Sequence, residues 1–93
     1  MENGEVNKEN SRIAVVSILV ADRRGSEKIN ALLSEYGEWI LGRMGIPYKE
    51  RSVNIISVAM DAPQDVISAL SGKIGAINGI SVKTVYSNVI HKE

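Results

Sequence analysis

Two segments of the chain are apolar at both alternating sets of positions, in residues 12–20 and again in residues 53–60. In the first segment the sets are Ile13, Val15 and Leu19, and Ala14, Val16, Ile18 and Val20; in the second they are Val53, Ile55, Ser57 and Ala59, and Ile56, Val58 and Met60. Successive side chains of a strand point to opposite faces, and a strand apolar on both faces is typical of a sheet interior. We therefore predict two central strands.

Two other segments carry apolar residues every three or four positions, which is the spacing of an amphipathic helix. These residues are Ile29, Leu32, Leu33 and Tyr36 in the first segment, and Val66, Ile67, Leu70 and Ile74 in the second. Residues 61–63 are predicted to start the second helix, with Asp61 as its cap and Pro63 in its first turn.

Residues 39–46 and 80–89 read as two further strands, and Gly42 and Gly45 predict a bulge or a close backbone approach in the first of them. The resulting order, β-α-β-β-α-β, is that of an α+β ferredoxin-like sandwich. Right-handed crossovers give an antiparallel sheet of order 4-1-3-2 with both helices on one face.

The pattern does not show which alternating set meets the helices. The other set must leave an apolar sheet face uncovered, and patches of this kind usually mark an interface. We therefore predict a homo-oligomer, a dimer or a tetramer, that forms through sheet faces or through sheet edges. A modest exposed patch on a monomer is the alternative.

The length of 93 residues predicts one domain, over residues 12–90, with a polar N-terminal tail at residues 1–11 and a C-terminal tail at residues 91–93. Eleven basic and eleven acidic residues balance, so we expect neither direct nucleic-acid binding nor membrane binding. No apolar run approaches the length of a membrane helix, and no secretory pattern is present, so a cytoplasmic location is expected.

The chain has no cysteine and one histidine, His91, which excludes disulfides, thiolate metal sites and a cysteine nucleophile. The tripeptide Ser71-Gly72-Lys73 lies in or at the end of a helix and lacks the first glycine of a phosphate loop, since Ile67 stands there. No other catalytic arrangement stands out, so we expect no metal, no cofactor and no enzymatic activity.

Residues 69–84 and, less specifically, residues 38–47 resemble the iron-only hydrogenase system regulators. Ser71, Gly72, Lys73, Gly75 and Gly79 belong to the resembling motif, and close packing is expected at its glycines. The resemblance implies a ferredoxin-like fold related to ACT domains and to the C-terminal domain of nickel-responsive regulators. It also implies an association with hydrogenase maturation. The nickel site of those regulators needs several histidines and a cysteine, so this chain cannot build it.

The turn Asp22-Arg23-Arg24-Gly25-Ser26 is similar to the ACT-domain pattern Asp-x-Pro-Gly, which implies a site for a small anionic or amino-acid ligand. Gly25 would allow close backbone approach, and an arginine could add a charge-assisted contact. The alternative is a solvated turn with two surface arginines.

Together these patterns favour a small oligomeric regulatory or sensory binding module associated with an iron-only hydrogenase system. The alternative function is a structural protein-interaction module that binds a protein partner and no small-molecule ligand.

Overall fold

The fold is a four-stranded antiparallel sheet covered on one face by two helices, and the sheet order is β2-β3-β1-β4. A computed structural model describes residues 11–88. The elements are β1 (Ser11–Val20), α1 (Arg24–Glu35), β2 (Ile40–Tyr48), β3 (Val53–Pro63), α2 (Gln64–Gly75) and β4 (Ile80–Tyr86), with 3-10 turns at Gly37–Trp39 and Lys49–Arg51. The ferredoxin-like architecture and the predicted strand order, read from the opposite edge, are confirmed. The predicted tails lie outside the described residues, apart from Ser11, with which β1 begins.

The hydrophobic core lies between the helices and one face of the sheet, and it answers the question that the sequence pattern left open. Its buried members are Ala14, Val16, Ile18 and Val20 of β1, Val58, Met60 and Ala62 of β3, Ile29 and Leu33 of α1, and Ile67, Leu70 and Ile74 of α2. No polar or charged side chain is buried in the part of the chain described. The core is therefore held by apolar packing alone.

The opposite side of the sheet, which we call the open face, has no helix over it. Its positions are Ile13, Val15, Ser17 and Leu19 of β1, Gly42, Met44, Ile46 and Tyr48 of β2, Val53, Ile55, Ser57, Ala59 and Asp61 of β3, and Ser81, Lys83 and Val85 of β4. Both central strands are apolar on this side too, as the sequence pattern predicts.

The start of α2 differs from the prediction. Asp61 does not cap the helix; it pairs with Ile13 in the sheet, and β3 continues through Pro63, which pairs with Ser11. Pro63 is the residue before α2, its ψ of 151° is extended, and no side chain caps the helix. The long β1 strand offers partners to residues 61–63, and these ladder pairs hold the segment extended.

The glycines of β2 mark a bulge but no close contact. The pairing with β3 shifts register between Ile40 and Gly42, which confirms the predicted bulge. A Cβ atom at Gly42 or at Gly45 would meet nothing within 4 Å, so no other backbone approaches them. Every residue of β2 after Ile40 is exposed, because β2 lies beyond the cover of the helices.

The glycine-rich end of α2 has one position that requires glycine. Gly79 has a φ of 79°, and a Cβ there would lie 2.6 Å from the Cβ of Asp22. Its carbonyl accepts a 2.8 Å hydrogen bond from the Ala21 amide, which joins the loop after β1 to the loop before β4. A Cβ at Gly75 would lie 3.2 Å from the Val82 side chain, not against a backbone.

No helix in the part of the chain that the structure describes is long and apolar enough to cross a membrane.

Two glycine substitutions are expected to have opposite effects on stability. Gly79→Ala should lower the free energy of unfolding by about 1–3 kcal/mol, because alanine is strained at this φ and collides with Asp22. Gly72→Ala should raise it by roughly 0.5–1 kcal/mol, because Gly72 lies inside α2 with open space around it. Urea denaturation measures both. Equal effects of the two substitutions would contradict this account of Gly79.

Candidate functional site

The turn after β1 is held by a local ion pair. The backbone amide of Arg24 donates to Asp22 Oδ1 at 3.0 Å, and its guanidinium donates to Oδ1 at 3.2 Å and to Oδ2 at 2.9 Å. These hydrogen bonds hold the pKa of the Asp22 carboxyl below its usual value and raise the pKa of Arg24. Arg24 thus already has an anionic partner in its own turn, and it would have to leave that partner to bind an anionic ligand fully.

Gly25 is buried at the start of α1. A Cβ at this position would lie 3.1 Å from Ile80 Cδ1 and 3.3 Å from Ile77 Cγ2. The absence of a side chain at Gly25 therefore lets the start of α1 pack closely against the side chains of Ile77 and Ile80. A larger residue at Gly25 would disturb this packing, so its effect on ligand binding could not be separated from its effect on the fold.

The five residues of the predicted loop site line three different clefts. Asp22, Arg24 and Gly25 line a cleft of about 350 Å³ together with Lys28, Ala76, Ile77 and Asn78. Arg23 lines a second cleft, of about 310 Å³, and Ser26 lines a third, of about 250 Å³. Three of the five residues, Asp22, Arg24 and Gly25, therefore lie together in one cleft. Arg23 and Ser26 lie in clefts that the β2–β3 hairpin also lines.

The second and third clefts adjoin, because Pro47 and Asn54 line both of them. Together they form what we call the hairpin groove, between the first half of α1 and the β2–β3 hairpin. The second cleft is lined by Val20, Arg23, Pro47, Tyr48, Lys49, Ser52, Val53 and Asn54, and the third by Ser26, Asn30, Arg43, Gly45, Ile46, Pro47, Asn54 and Ile56. The groove therefore combines basic, amide and apolar side chains.

Two hydrogen bonds link the walls of the groove. Arg43 Nη2 of β2 donates to Asn30 Oδ1 of α1 at 2.9 Å, and Asn54 Nδ2 of β3 donates to Ser26 Oγ at 3.4 Å. Asn30, Arg43 and Lys49 were not among the candidate residues of the sequence analysis. They come from segments that are far apart in the chain, and only the packing of α1 near the hairpin reveals the groove.

The motif Ser71-Gly72-Lys73 lies in α2, outside all three clefts. Thr84 Oγ1 of β4 donates to Ser71 Oγ at 3.3 Å. Lys73 lies 3.7 Å from a Glu35 carboxylate oxygen and 5.1 Å from the centre of the Tyr36 ring. The pKa of Lys73 is raised, first by its interaction with Tyr36 and then by the charge of Glu35. These contacts link α2 to β4 and to the end of α1.

Among the residues described, no three or more His, Cys, Asp or Glu side chains are grouped so that they could hold a metal ion. His91 lies outside this range.

The ion pair in the turn predicts an acid-sensitive contact. The Asp22 pKa should lie below its ordinary value and should rise toward that value in Arg24→Gln, whereas Arg23→Gln should leave it unchanged. Because the pKa is lowered by folding, the pair contributes stability above the unfolded-state pKa, and this stability is lost as the pH falls through the folded-state pKa. Carboxyl-carbon NMR titrations measure these values. An unchanged Asp22 titration in Arg24→Gln would contradict the contact.

Solved structures with this fold include one of substantial sequence similarity. The uncharacterized protein TM1266 from Thermotoga maritima is 38% identical, with a TM-score of 0.79, and the match covers 82% of this chain and 96% of that chain. The ACT domain from GTP pyrophosphokinase of Chlorobium tepidum is 19% identical, with a TM-score of 0.67, and the match covers 89% of this chain and 94% of that domain.

A third structure, the C-terminal domain of the MgtC protein from Mycobacterium tuberculosis, is 10% identical with a TM-score of 0.67, and the match covers 95% of this chain and 100% of that domain. At this identity, and at that of the ACT domain, the likeness shows the fold alone, which is ACT-like. No curated protein matches the sequence.

The family model of the TM1266-like proteins, described as candidate iron-only hydrogenase system regulators, matches residues 12–84. That range extends from the start of β1 to β4 and includes both helices. The chain therefore belongs to the TM1266-like family of candidate iron-only hydrogenase system regulators.

Proposed function

We propose that this chain is a cytoplasmic regulatory protein of an iron-only hydrogenase system and that it acts without catalysis, as a homo-oligomer assembled through the open face. The family and the ACT-like fold support a regulatory role. The observation that carries the proposed assembly is the apolar character of the open face.

Large apolar side chains are exposed on the open face at both ends of the sheet. Near one end, Ile46, Ile55 and Leu19 lie side by side across three strands, and they are 48%, 38% and 47% exposed. Near the other end, Val15 and Val85 are also neighbours and are also exposed. Full burial of a fully exposed side chain of this size contributes roughly 1.5–3 kcal/mol, so covering the part of each side chain that is still exposed would be favourable.

A second copy of the chain suits this surface because the surface is almost uncharged. Asp61 and Lys83 are the charged residues among the open-face positions. Asp61 pairs with Ile13 near one end of the sheet, and Lys83 pairs with Ser17 on the edge strand β4. Two identical faces can therefore meet without a large charge repulsion. Ser17 and Ser57, which pair with one another in the middle of the sheet, are small and let a second sheet approach closely.

The size of the open face is also sufficient for a dimer. Four strands spaced at about 4.8 Å, over the seven residues of the shortest strand, give a footprint of roughly 450 Å² per copy. Protruding side chains raise the accessible area above this flat footprint. Two copies would then bury about 1,000 Å² or more, which is the lower limit for a specific interface.

The alternative function, a protein-interaction module without a small-molecule ligand, uses the same face for a different partner. Self-association needs no other protein to cover the apolar surface, and the interface between two copies also supplements a core that is thin at 93 residues. We therefore propose self-association as the first role of this surface and leave the heteromeric partner as an outcome of the test.

Aspartate substitutions on neighbouring residues of β1 should separate assembly from folding. The wild-type protein should be at least a dimer at about 100 μM, where a dimer with a micromolar Kd is assembled. Leu19→Asp should be a folded monomer, because the charge blocks the open face. Ile18→Asp should unfold the domain, because Ile18 is fully buried in the core. Light scattering gives the mass, and circular dichroism reports the fold.

Ser81→Asp is the matched control for charge on the open face, since Ser81 pairs with Leu19 at the edge of the sheet and offers no apolar surface. It should weaken the dimer less than Leu19→Asp does. A monomeric wild type at this concentration would refute self-association and would favour a heteromeric partner.

A further inference from the structure

We propose that the hairpin groove binds a nucleoside phosphate, with the phosphates at the end formed by Arg23 and Lys49, the base at the end formed by Asn30 and Gly45, and Asn54 between them. The proposal rests on the proposed regulatory function: a ligand bound in this groove would be the signal to which the protein responds.

Ile46, Tyr48 and Val53 line the groove and also belong to the open face, so the two surfaces adjoin at the β2–β3 hairpin. The residues that we assign to the phosphates and to the base lie on the helix side of the sheet or in turns, so these contacts do not require the open face to be free.

The groove carries positive charge that no acidic residue in its walls balances. Arg23, Arg43 and Lys49 line it, and none of its lining residues is Asp or Glu, although the whole chain has as many acidic as basic residues. In the described part of the chain, the side chains of Arg23 and Lys49 have no ion-pair or hydrogen-bond partner, and Arg43 contacts the neutral Asn30. Arginine and lysine side chains available in this way are suited to phosphate oxygens.

The other end of the groove is suited to a planar ring. Ile56, Pro47 and the backbone of Gly45 contribute apolar surface, and Gly45 leaves space because a Cβ there would meet nothing within 4 Å. Asn30 and Asn54 also line this cleft. Their hydrogen bonds to Arg43 and Ser26 use Asn30 Oδ1 and Asn54 Nδ2, which leaves the Asn30 amide nitrogen as a donor and the Asn54 amide oxygen as an acceptor for a ligand. An apolar surface with a few polar groups that fix orientation is the usual design of a small-molecule site.

The length of the groove excludes the smallest anions as its full ligand. Gly45 at the base end and Lys49 at the phosphate end are four residues apart, and along the extended strand β2 this separation is roughly 13 Å. A free amino acid or a single phosphate is too short to engage both ends. A nucleoside phosphate has a hydrogen-bonding ring at one end and anionic oxygens at the other, which matches the order of side chains along the groove.

Amide NMR spectra of the full-length ¹⁵N-labelled chain test the site directly. Titration with ADP, GDP, UDP and CDP should produce saturable shifts at Ser26, Asn30, Gly45 and Asn54 with at least one of the four. Pyrophosphate should bind at least tenfold more weakly, because it lacks the ring. The absence of saturable shifts with all four probes at millimolar concentration would overturn the proposal. So would shifts confined to the cleft at residues 76–78, or equal affinity for pyrophosphate.

Two glycines of β2 provide a matched pair for the base end. Gly45→Thr places a side chain in the groove, and Gly42→Thr places the same side chain on the open face of the same strand. Neither Cβ meets another atom within 4 Å, so both variants should fold. Binding of the best probe should be lost in Gly45→Thr and retained within about twofold in Gly42→Thr. Unchanged affinity in a folded Gly45→Thr protein would overturn the assignment.

Charge substitutions test the phosphate end. The double variant Arg23→Gln, Lys49→Gln should weaken binding of the best probe about tenfold, since each charged hydrogen bond contributes measurably to affinity. Lys28→Gln, Lys83→Gln removes the same charge outside the groove and should change affinity less than twofold. Equal losses in the two double variants would show only a general charge effect and would overturn this end of the site.

These experiments measure ligand binding, whereas the test of self-association measures molecular mass, so the nucleotide site and the dimer can be refuted independently. A dimer that binds none of the probes would refute the nucleotide site alone.

Discussion

The structure depends on one constraint: the central strands of the sheet are apolar on both faces, but the two helices cover only one of these faces. The covered face forms a core without any buried polar side chain among the described residues. The helices also leave most of β2 outside their cover, which exposes this strand and opens the groove beside α1. The apolar surface and the groove are thus two results of the same incomplete coverage, one on each side of the sheet.

Much of the fold follows from local patterns in the sequence. Alternating apolar residues identify β1 and β3 as the central strands, and the residues spaced for a helix are those that face the core, such as Ile29, Ile67 and Leu70. The choice of sheet face could not be predicted, because Val15 and Val16 are the same residue type on opposite sides. Only the position of the helices makes one buried and the other exposed.

The start of α2 was predicted wrongly because a local helix signal competed with strand pairing between residues that are far apart in the sequence. The sequence Asp61-Ala62-Pro63 is typical of a helix start, yet the first residues of β1 pair with it and keep it extended. The hairpin groove was not predicted for a related reason. The loop pattern drew attention to Arg24 and Gly25, whereas the structure gives these residues an ion pair and a packing role. The hairpin groove needs contacts between α1 and β2, which no single stretch of sequence contains.

The position of β2 at the edge of the sheet has a consequence for motion. β1 and β3 each pair with two neighbours, whereas β2 pairs with β3 alone and does so with a register shift near its start. Separating β2 from the sheet therefore breaks one ladder of hydrogen bonds and uncovers little of the core, so it costs less free energy than separating a central strand. The fold thereby places a strand that opens more easily than β1 or β3 between the two surfaces that meet other molecules in our proposals, so a displacement of β2 caused at one surface would also change the other.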